Sequence, residues 1–143
     1  MVSSTVLLQT ICPGRVLDLL VAYLPREEEY AADTGTWTAA IHTMREERAK
    51  GAELLEGFSI SIKPDCLPYS SEVDRWLTSL YLRRSPGGPI FHALGSHAWI
   101  TLGTTFQSKL REWLEPKVPP EVIPVIQALA QKMAPLLVKQ GVI

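Results

Sequence analysis

A long row of apolar side chains at helical spacing occupies the C-terminal part of the chain. The apolar positions between 122 and 136 step by four, three, four and three residues. At about 100° per residue this spacing places them on one face of a helix. A second apolar row lies beside the first and widens the apolar arc to about 160°. A helix with so wide an apolar face must be covered, either by the rest of its own chain or by another chain.

Prolines separate this helix from the residues before it. Pro116, Pro119 and Pro120 precede the apolar row, and proline is well tolerated where a helix begins. We predict a single globular domain over 1–143, within which 116–143 forms a proline-delimited helical segment. The apolar row is predicted to be a self-association interface, made of Val122, Ile126, Leu129, Met133, Leu136 and Leu137.

Length and charge restrict the classes of partner. A chain of 143 residues fits one domain and is long enough to bury a core without disulfides or metals. The net charge of −1 comes without a basic stripe, which disfavours nucleic acid as a direct partner. No apolar run is long enough to cross a bilayer, so no transmembrane segment is predicted. The N-terminus lacks a secretory signal, and we expect an intracellular, cytoplasmic protein.

Hydrophobic periodicity and turn residues together predict an α+β fold. It would consist of about five helices packed on a small, mainly antiparallel sheet of three or four strands. The predicted strands cover 4–11, 58–62, 90–94 and 97–102, and Gly95 and Ser96 supply a hairpin turn between the last two. The predicted helices cover 15–24, 36–56, 71 to the break at 85–89, 104–114 and 122–137. The polar residues 26–34 are predicted to form a loop.

Two caps and one buried face follow from the same pattern. Ser71 is the expected N-cap of the helix that starts there, because its hydroxyl can accept from a free backbone N–H. Thr104 and Gln107 have the spacing of a capping box. Trp113 is expected on the buried side of that helix, together with Phe106, Leu110 and Leu114.

The histidines are candidates for a metal site. His92 and His97 flank the predicted hairpin turn, one on each strand, where side chains approach closely enough to share a metal ion. Zinc requires three or four ligands, which Cys66 or Asp65 would have to complete. The spacing matches no known metal motif, and two histidines at a strand turn are the simpler interpretation. No metal or cofactor is predicted.

The two cysteines are far apart in sequence and suggest buried thiols in a reducing compartment. Cys66 would become a nucleophile only if a base such as His92 lay beside it. Cys12 precedes a possible helix start, where the helix dipole favours a thiolate.

A small enzyme or a ligand- or metal-binding domain is therefore the alternative function. Its pocket would lie between sheet and helices and would use His92, His97, Cys66 and Arg48.

The wide apolar face and the lack of a motif with catalytic spacing favour a different function. We predict a non-enzymatic protein–protein interaction or assembly protein, whose partner is a second copy or another protein. A homodimer is its simplest form.

Residues 58–101 show one further pattern. They run as a strand, a Pro68-Tyr69-Ser70 loop, a helix with Trp76, a Gly/Pro turn, a strand and Gly95-Ser96. This order resembles the central part of rhabdovirus matrix proteins, over less than a third of the chain. The resemblance implies a viral structural protein that associates with membranes. The chain lacks the basic, proline-tipped N-terminal tail of that family, so we transfer no residue role.

Overall fold

The computed structural model describes residues 11–25, 29–66, 68–82, 89–94 and 97–138, with only the backbone described at 94 and 97. Within these ranges the chain forms five α-helices and three strands, which confirms the predicted α+β fold. Most of the predicted strand 4–11 lies outside the described residues. In chain order the elements are α1 (Pro13–Tyr23), β1 (Glu29–Ala31), α2 (Thr34–Glu46), a 3-10 helix (Ala52–Leu55), α3 (Ser71–Leu82), β2 (Ile90–Leu94), β3 (His97–Thr101), α4 (Thr104–Leu114), a 3-10 turn (Glu115–Lys117) and α5 (Val122–Leu137).

Helix α1 lies at the centre of the core. Its residues 16–22 are all buried, as the nearly uninterrupted apolar sequence predicts. It packs against α3, α4 and α5. The helix ends before Pro25, since proline has no N–H to continue the hydrogen-bond ladder.

Helix α4 satisfies the C-terminal carbonyls of α1. The Gln107 amide donates to the Val21 and Leu24 carbonyls at 3.0 and 2.8 Å. The Arg111 guanidinium donates to the Ala22 carbonyl at 2.8 Å. The last carbonyls of a helix lack the usual partner four residues on; here the Val21 carbonyl also accepts from the Leu24 N–H at 3.4 Å. The prediction that Gln107 belongs to a capping box is therefore wrong, because its side chain turns into the core to bind α1.

Trp113 was expected on the buried side of α4, and this prediction is also wrong. Its side chain is 50% exposed. The Lys117 ammonium lies 3.6 Å from the centroid of its indole ring, and the Arg15 guanidinium lies 5.7 Å from it. Contacts of two cations with the indole ring stabilise Trp113 at the surface.

The three strands form an antiparallel sheet in the order β1-β3-β2. The predicted antiparallel pairing of β2 and β3 is confirmed, with Ile90 opposite Thr101 and His92 opposite Trp99. The predicted turn at Gly95 and Ser96 lies outside the described residues. Strand β1 corrects the loop predicted over 26–34. Tyr30 is fully buried, and its hydroxyl donates to the Pro25 carbonyl at 2.7 Å. Burial of this one side chain holds the otherwise polar segment in the sheet.

The strand predicted at 58–62 does not form. A single bridge between Ser61 and Tyr69 is the only strand-like pairing there among the described residues. Phe58 is buried and Ile62 is exposed, so the alternating pattern does not produce one buried face. Alternation predicts a strand only where a neighbouring strand is available for the backbone to pair with.

The helix predicted over 36–56 ends at Glu46. Gly51 adopts φ +91°, a left-handed conformation that glycine takes without strain. A Cβ at this position would lie 2.8 Å from Val125 Cγ1 of α5. The chain therefore turns at Gly51 and passes closely beneath α5.

No helix in the described part of the chain is both long and apolar enough to span a membrane.

Candidate functional site

The apolar row of α5 faces the chain's own core. Of its six predicted interface residues, all except Leu136 are buried, and Leu136 is 39% exposed. The helix packs against α1 and α2 of the same chain. The interface role of the row stays a prediction, because a helix exchanged between two copies would make these same contacts.

His92 lies on β2 and contacts β3. Its Nε2 atom is 3.0 Å from Thr101 Oγ1, and its ring stacks on Trp99 with centroids 5.3 Å apart. The His97 side chain lies outside the described part of the structure, so its pairing with His92 stays a prediction. Among the described residues, no group of three or more His, Cys, Asp and Glu side chains is placed to hold a metal ion.

The polar groups of the predicted enzyme site are not brought together. Cys12 and Cys66 are free, exposed thiols, which corrects the prediction that they are buried. Cys66 follows a turn in the loop after the 3-10 helix, because 58–66 does not join the sheet. Arg48 is exposed at φ +53°, beyond the end of α2. Neither Cys66 nor Arg48 lines a cavity with His92.

A groove of about 480 Å³ does lie between the sheet and helix α3. The Tyr81 and Phe91 rings meet edge to face across it, with centroids 5.3 Å apart. Asp74 and Thr34 also line the groove, where Asp74 accepts from the Thr34 hydroxyl at 3.3 Å. The lining residues are Ala32, Asp33, Thr34, Asp74, Leu77, Thr78, Tyr81, Phe91, His92, Ala93 and Ala98. This groove combines apolar walls with the carboxylates of Asp33 and Asp74. The His92 ring stacks on Trp99, on the opposite face of the sheet from Phe91.

A second cavity, of about 360 Å³, lies where α1 begins against α3. Asp18 is buried at its base and accepts from Trp76 Nε1 at 2.9 Å. Glu72 and Arg75 of α3 also line it. The buried carboxylate thus positions the Trp76 indole in the core between α1 and α3.

Glu72 accepts several hydrogen bonds at the start of α3. The Ser59 N–H donates to its Oε1 at 3.0 Å, and the Ser71 hydroxyl donates to its Oε2 at 2.9 Å. Burial alone would raise the pKa of Glu72, but these hydrogen bonds and its own backbone N–H lower that pKa to about 2.

Ser70, not Ser71, places its hydroxyl near the free Val73 N–H, at 3.5 Å, which moves the predicted cap by one residue.

We expect the change Glu72→Gln to destabilise the protein in a pH-dependent way. At pH 7 the free energy of unfolding should fall by about 1–2 kcal/mol, because an amide accepts these hydrogen bonds less well than a carboxylate. The lowered pKa of Glu72 makes its contribution complete above its ordinary value of 4.5 and removes it as the pH falls towards 2. Urea unfolding at several pH values measures the difference.

The matched control is Glu56→Gln, at an exposed carboxylate after the 3-10 helix. It should change the stability little at any pH. A Glu72→Gln effect that stays constant from pH 7 to pH 2 would contradict the assignment.

The two edges of the sheet differ in whether another described segment pairs with them. Beyond β1, Tyr30 bridges to Val138, so the residue directly after α5 occupies that edge. Beyond β2, no strand pairs among the described residues. Ile90 of β2 is 58% exposed, and Tyr81 and Leu82 of α3 are exposed as well. We call this surface, formed by the free side of β2 with Tyr81, whose ring meets Phe91, and Ile90, the β2 edge.

Sequence reasoning missed the β2 edge. The pattern that marks it is the run Ile-Phe-His-Ala-Leu at 90–94, which contains no Asp, Glu, Lys, Arg or Pro. Charged residues and prolines are the usual protection of an edge strand. The pattern does not show which strand ends at the edge, because that depends on the strand order.

Comparison of the chain with protein-family models, curated proteins and solved structures finds no match. The resemblance of 58–101 to rhabdovirus matrix proteins therefore stays a prediction.

Proposed function

We propose that this chain is a non-enzymatic protein–protein interaction and assembly protein that self-associates. The observation that supports the proposal is the β2 edge: β2 contains no Asp, Glu, Lys or Arg, has exposed apolar neighbours, and among the described residues no strand pairs with its outer side. The surface belongs to a sheet held rigidly against the core by the buried residues Tyr30 and Ile100.

An open edge strand carries unpaired backbone N–H and C=O groups. These groups pair readily with a strand from another chain, and natural proteins block such pairing with charges, prolines or bulges. Among the described residues at this edge, one such device is present, Pro89 directly before β2. The exposed side chains of Tyr81, on the Phe91 face, and of Ile90, on the opposite face, add apolar area beside this edge. This combination is typical of an interaction surface rather than of a protected edge.

The partner that fits this surface best is a second copy of the chain. A strand without charge meets an identical strand without like-charge repulsion. The net charge of −1 per chain also opposes association only weakly. Two-fold dimers are the commonest homo-oligomers, and a single self-complementary patch is sufficient to build one.

Exchange of α5 between two copies is a second route to self-association. The prolines at 116, 119 and 120 stiffen the connection before α5. Its apolar row is buried in one copy and would be buried equally well in another. This route uses the interface residues predicted from the sequence.

Ligand binding is the second candidate function. The groove of about 480 Å³ beside His92 favours it. Asp33 and Asp74 line this groove, and no lysine or arginine does so among the described residues, so its ligand would be a small organic cation.

Sedimentation velocity of the full chain over a wide concentration range tests self-association. We expect a concentration-dependent dimer, whose dissociation constant rises about tenfold in Ile90→Lys, because an unpaired charge at a partly covered position of the interface costs about 1.4 kcal/mol. Ile62→Lys is the matched control, since Ile62 is 57% exposed but lies outside the β2 edge. It should leave the dimer unchanged.

Each outcome decides between the routes. A chain that stays monomeric at every concentration contradicts the proposal. A dimer that is equally stable in Ile90→Lys and in Ile62→Lys favours exchange of α5 over the β2 edge. Native mass spectrometry of the purified chain gives the subunit number and the mass of any bound molecule. A monomer that retains a small molecule would favour ligand binding.

A further inference from the structure

We infer that β2 pairs with β2 of a second copy in one antiparallel register, with His92 on the two-fold axis. The result would be one continuous sheet of six strands, three from each copy. This inference rests on the proposed self-association and adds the geometry of the interface.

The direction of the backbone groups in β2 follows from β3. The Ala32 N–H donates to the Ala98 carbonyl at 3.0 Å, so Ala98 of β3 directs its backbone groups towards the side of β1. In an antiparallel ladder successive residues bond to opposite sides, so Trp99 bonds towards β2, where its partner is His92. By the same alternation, Phe91 and Ala93 direct their N–H and C=O groups to the open edge.

These directions restrict the possible registers. Residues that bond outwards must face residues that bond outwards, and Phe91 and Ala93 are the two of β2 that do so. Centring the pair on His92 places Phe91 of one copy opposite Ala93 of the other, twice, and forms four backbone hydrogen bonds. All five residues of Ile90–Leu94 then face a residue of the second strand.

The neighbouring registers with the same bonding pattern are poorer. A pair centred on Phe91 sets Ala93 opposite Pro89, which has no N–H to donate to the Ala93 carbonyl. A pair centred on Ala93 sets Phe91 opposite position 95, beyond the end of β2 at Leu94. Only the register centred on His92 uses the strand fully.

The same register fits the side chains. Phe91 lies in the row of Tyr30 and Ile100 across the sheet, which faces the core. His92 and Ile90 lie on the opposite face, where Ile90 is exposed. In the pair, Ile90 lies opposite position 94 of the other copy, an apolar residue. Part of the exposed surface of Ile90 would thereby be covered.

Cysteine cross-linking tests the register. The background is the full chain with Cys12→Ser and Cys66→Ser, which removes both native free thiols. In the inferred register position 92 faces itself as a non-hydrogen-bonded pair, with Cα atoms about 4.5 Å apart, which is within reach of a disulfide. We expect His92→Cys to form a covalent dimer under mild oxidation, and most of the chain to be converted.

Ile90→Cys is the matched control, because the two copies of position 90 would lie about 13 Å apart along the strands. It should not cross-link with itself. An equal mixture of Ile90→Cys and Leu94→Cys chains should give the mixed covalent dimer. This mixture keeps His92 and its contacts with Trp99 and Thr101, so it tests the register even if His92→Cys folds poorly.

The failures of the two proposals are distinguishable. Where sedimentation shows that the cysteine-free chain is monomeric, both fail. Where it is dimeric but Ile90→Cys cross-links as fast as His92→Cys, or neither His92→Cys nor the mixture cross-links, the register is wrong and self-association stands.

Discussion

Replacing Leu129 by alanine is expected to lower the free energy of unfolding by about 2–5 kcal/mol, the usual range for a leucine lost from a packed core. Leu129 is fully buried in the middle of α5. Its Cβ lies 3.6 Å from the place that a Cβ on Gly51 would occupy, so the backbone beneath it approaches closely and cannot easily fill a cavity. Urea unfolding followed by circular dichroism measures the change.

Leu136→Ala is the matched control, because it makes the same substitution on the same helix at a side chain that is 39% exposed. Its effect should stay below about 1 kcal/mol. Equal effects at the two positions would contradict the placement of the apolar row in the core. If the row instead met a second copy without exchange of the helix, Leu129→Ala would weaken association and leave the monomer as stable as before.

Replacing Trp37 by alanine is expected to cost about 3–5 kcal/mol. Trp37 is fully buried, and its ring lies 5.0 Å from that of Trp76. Its Nε1 donates to the Ala31 carbonyl at 2.6 Å and so connects α2 to β1. The alanine variant would leave both a cavity and an unpaired buried carbonyl. Far-UV circular dichroism is the suitable probe, because the substitution itself changes the fluorescence.

Two further variants separate the contributions of Trp37. Trp37→Phe keeps a ring in the core but loses the hydrogen bond to Ala31, so its effect should be smaller than that of Trp37→Ala. Trp113→Ala removes an indole that is 50% exposed and should cost less than about 1.5 kcal/mol. If Trp113→Ala were as destabilising as Trp37→Ala, the assignment of these two residues to core and surface would be wrong.

The elements that could be predicted from the sequence are those with a strong local pattern. Helix α5 has the predicted bounds, because its apolar period is sustained over four turns and prolines precede it. Helix α1 and the antiparallel β2–β3 pair are equally local, since each is delimited by turn residues or prolines. Local periodicity is sufficient to predict an element when that segment buries one face regardless of which other segment packs against it.

The wrong predictions concern segments whose structure depends on which other segment packs against them. Glu29–Ala31 is short and polar at one end. It nevertheless forms a strand, because its backbone pairs with β3 and its Tyr30 side chain is buried. The segment 58–62 has better alternation, but it has no adjacent strand apart from the bridge to Tyr69. Gln107 has the spacing of a cap, but the C-terminal carbonyls of α1 lie within its reach.

The candidate site shows the same division. The composition of 90–94 is visible in the sequence, but its position at the open edge depends on β1 pairing with the far side of β3. The sequence shows that His92 and Cys66 are both present, whereas the fold leaves Cys66 outside the groove that His92 lines.

By itself, the sequence determined that the last helix has a broad apolar face that must be covered, because periodicity and apolar character are properties of a single segment. Only the tertiary structure shows that α1 and α2 pack against this face and that, among the residues the structure describes, no strand pairs with the outer side of β2. Which surfaces meet depends on the packing of segments far apart in the chain, and the pattern within any one of them does not contain that information.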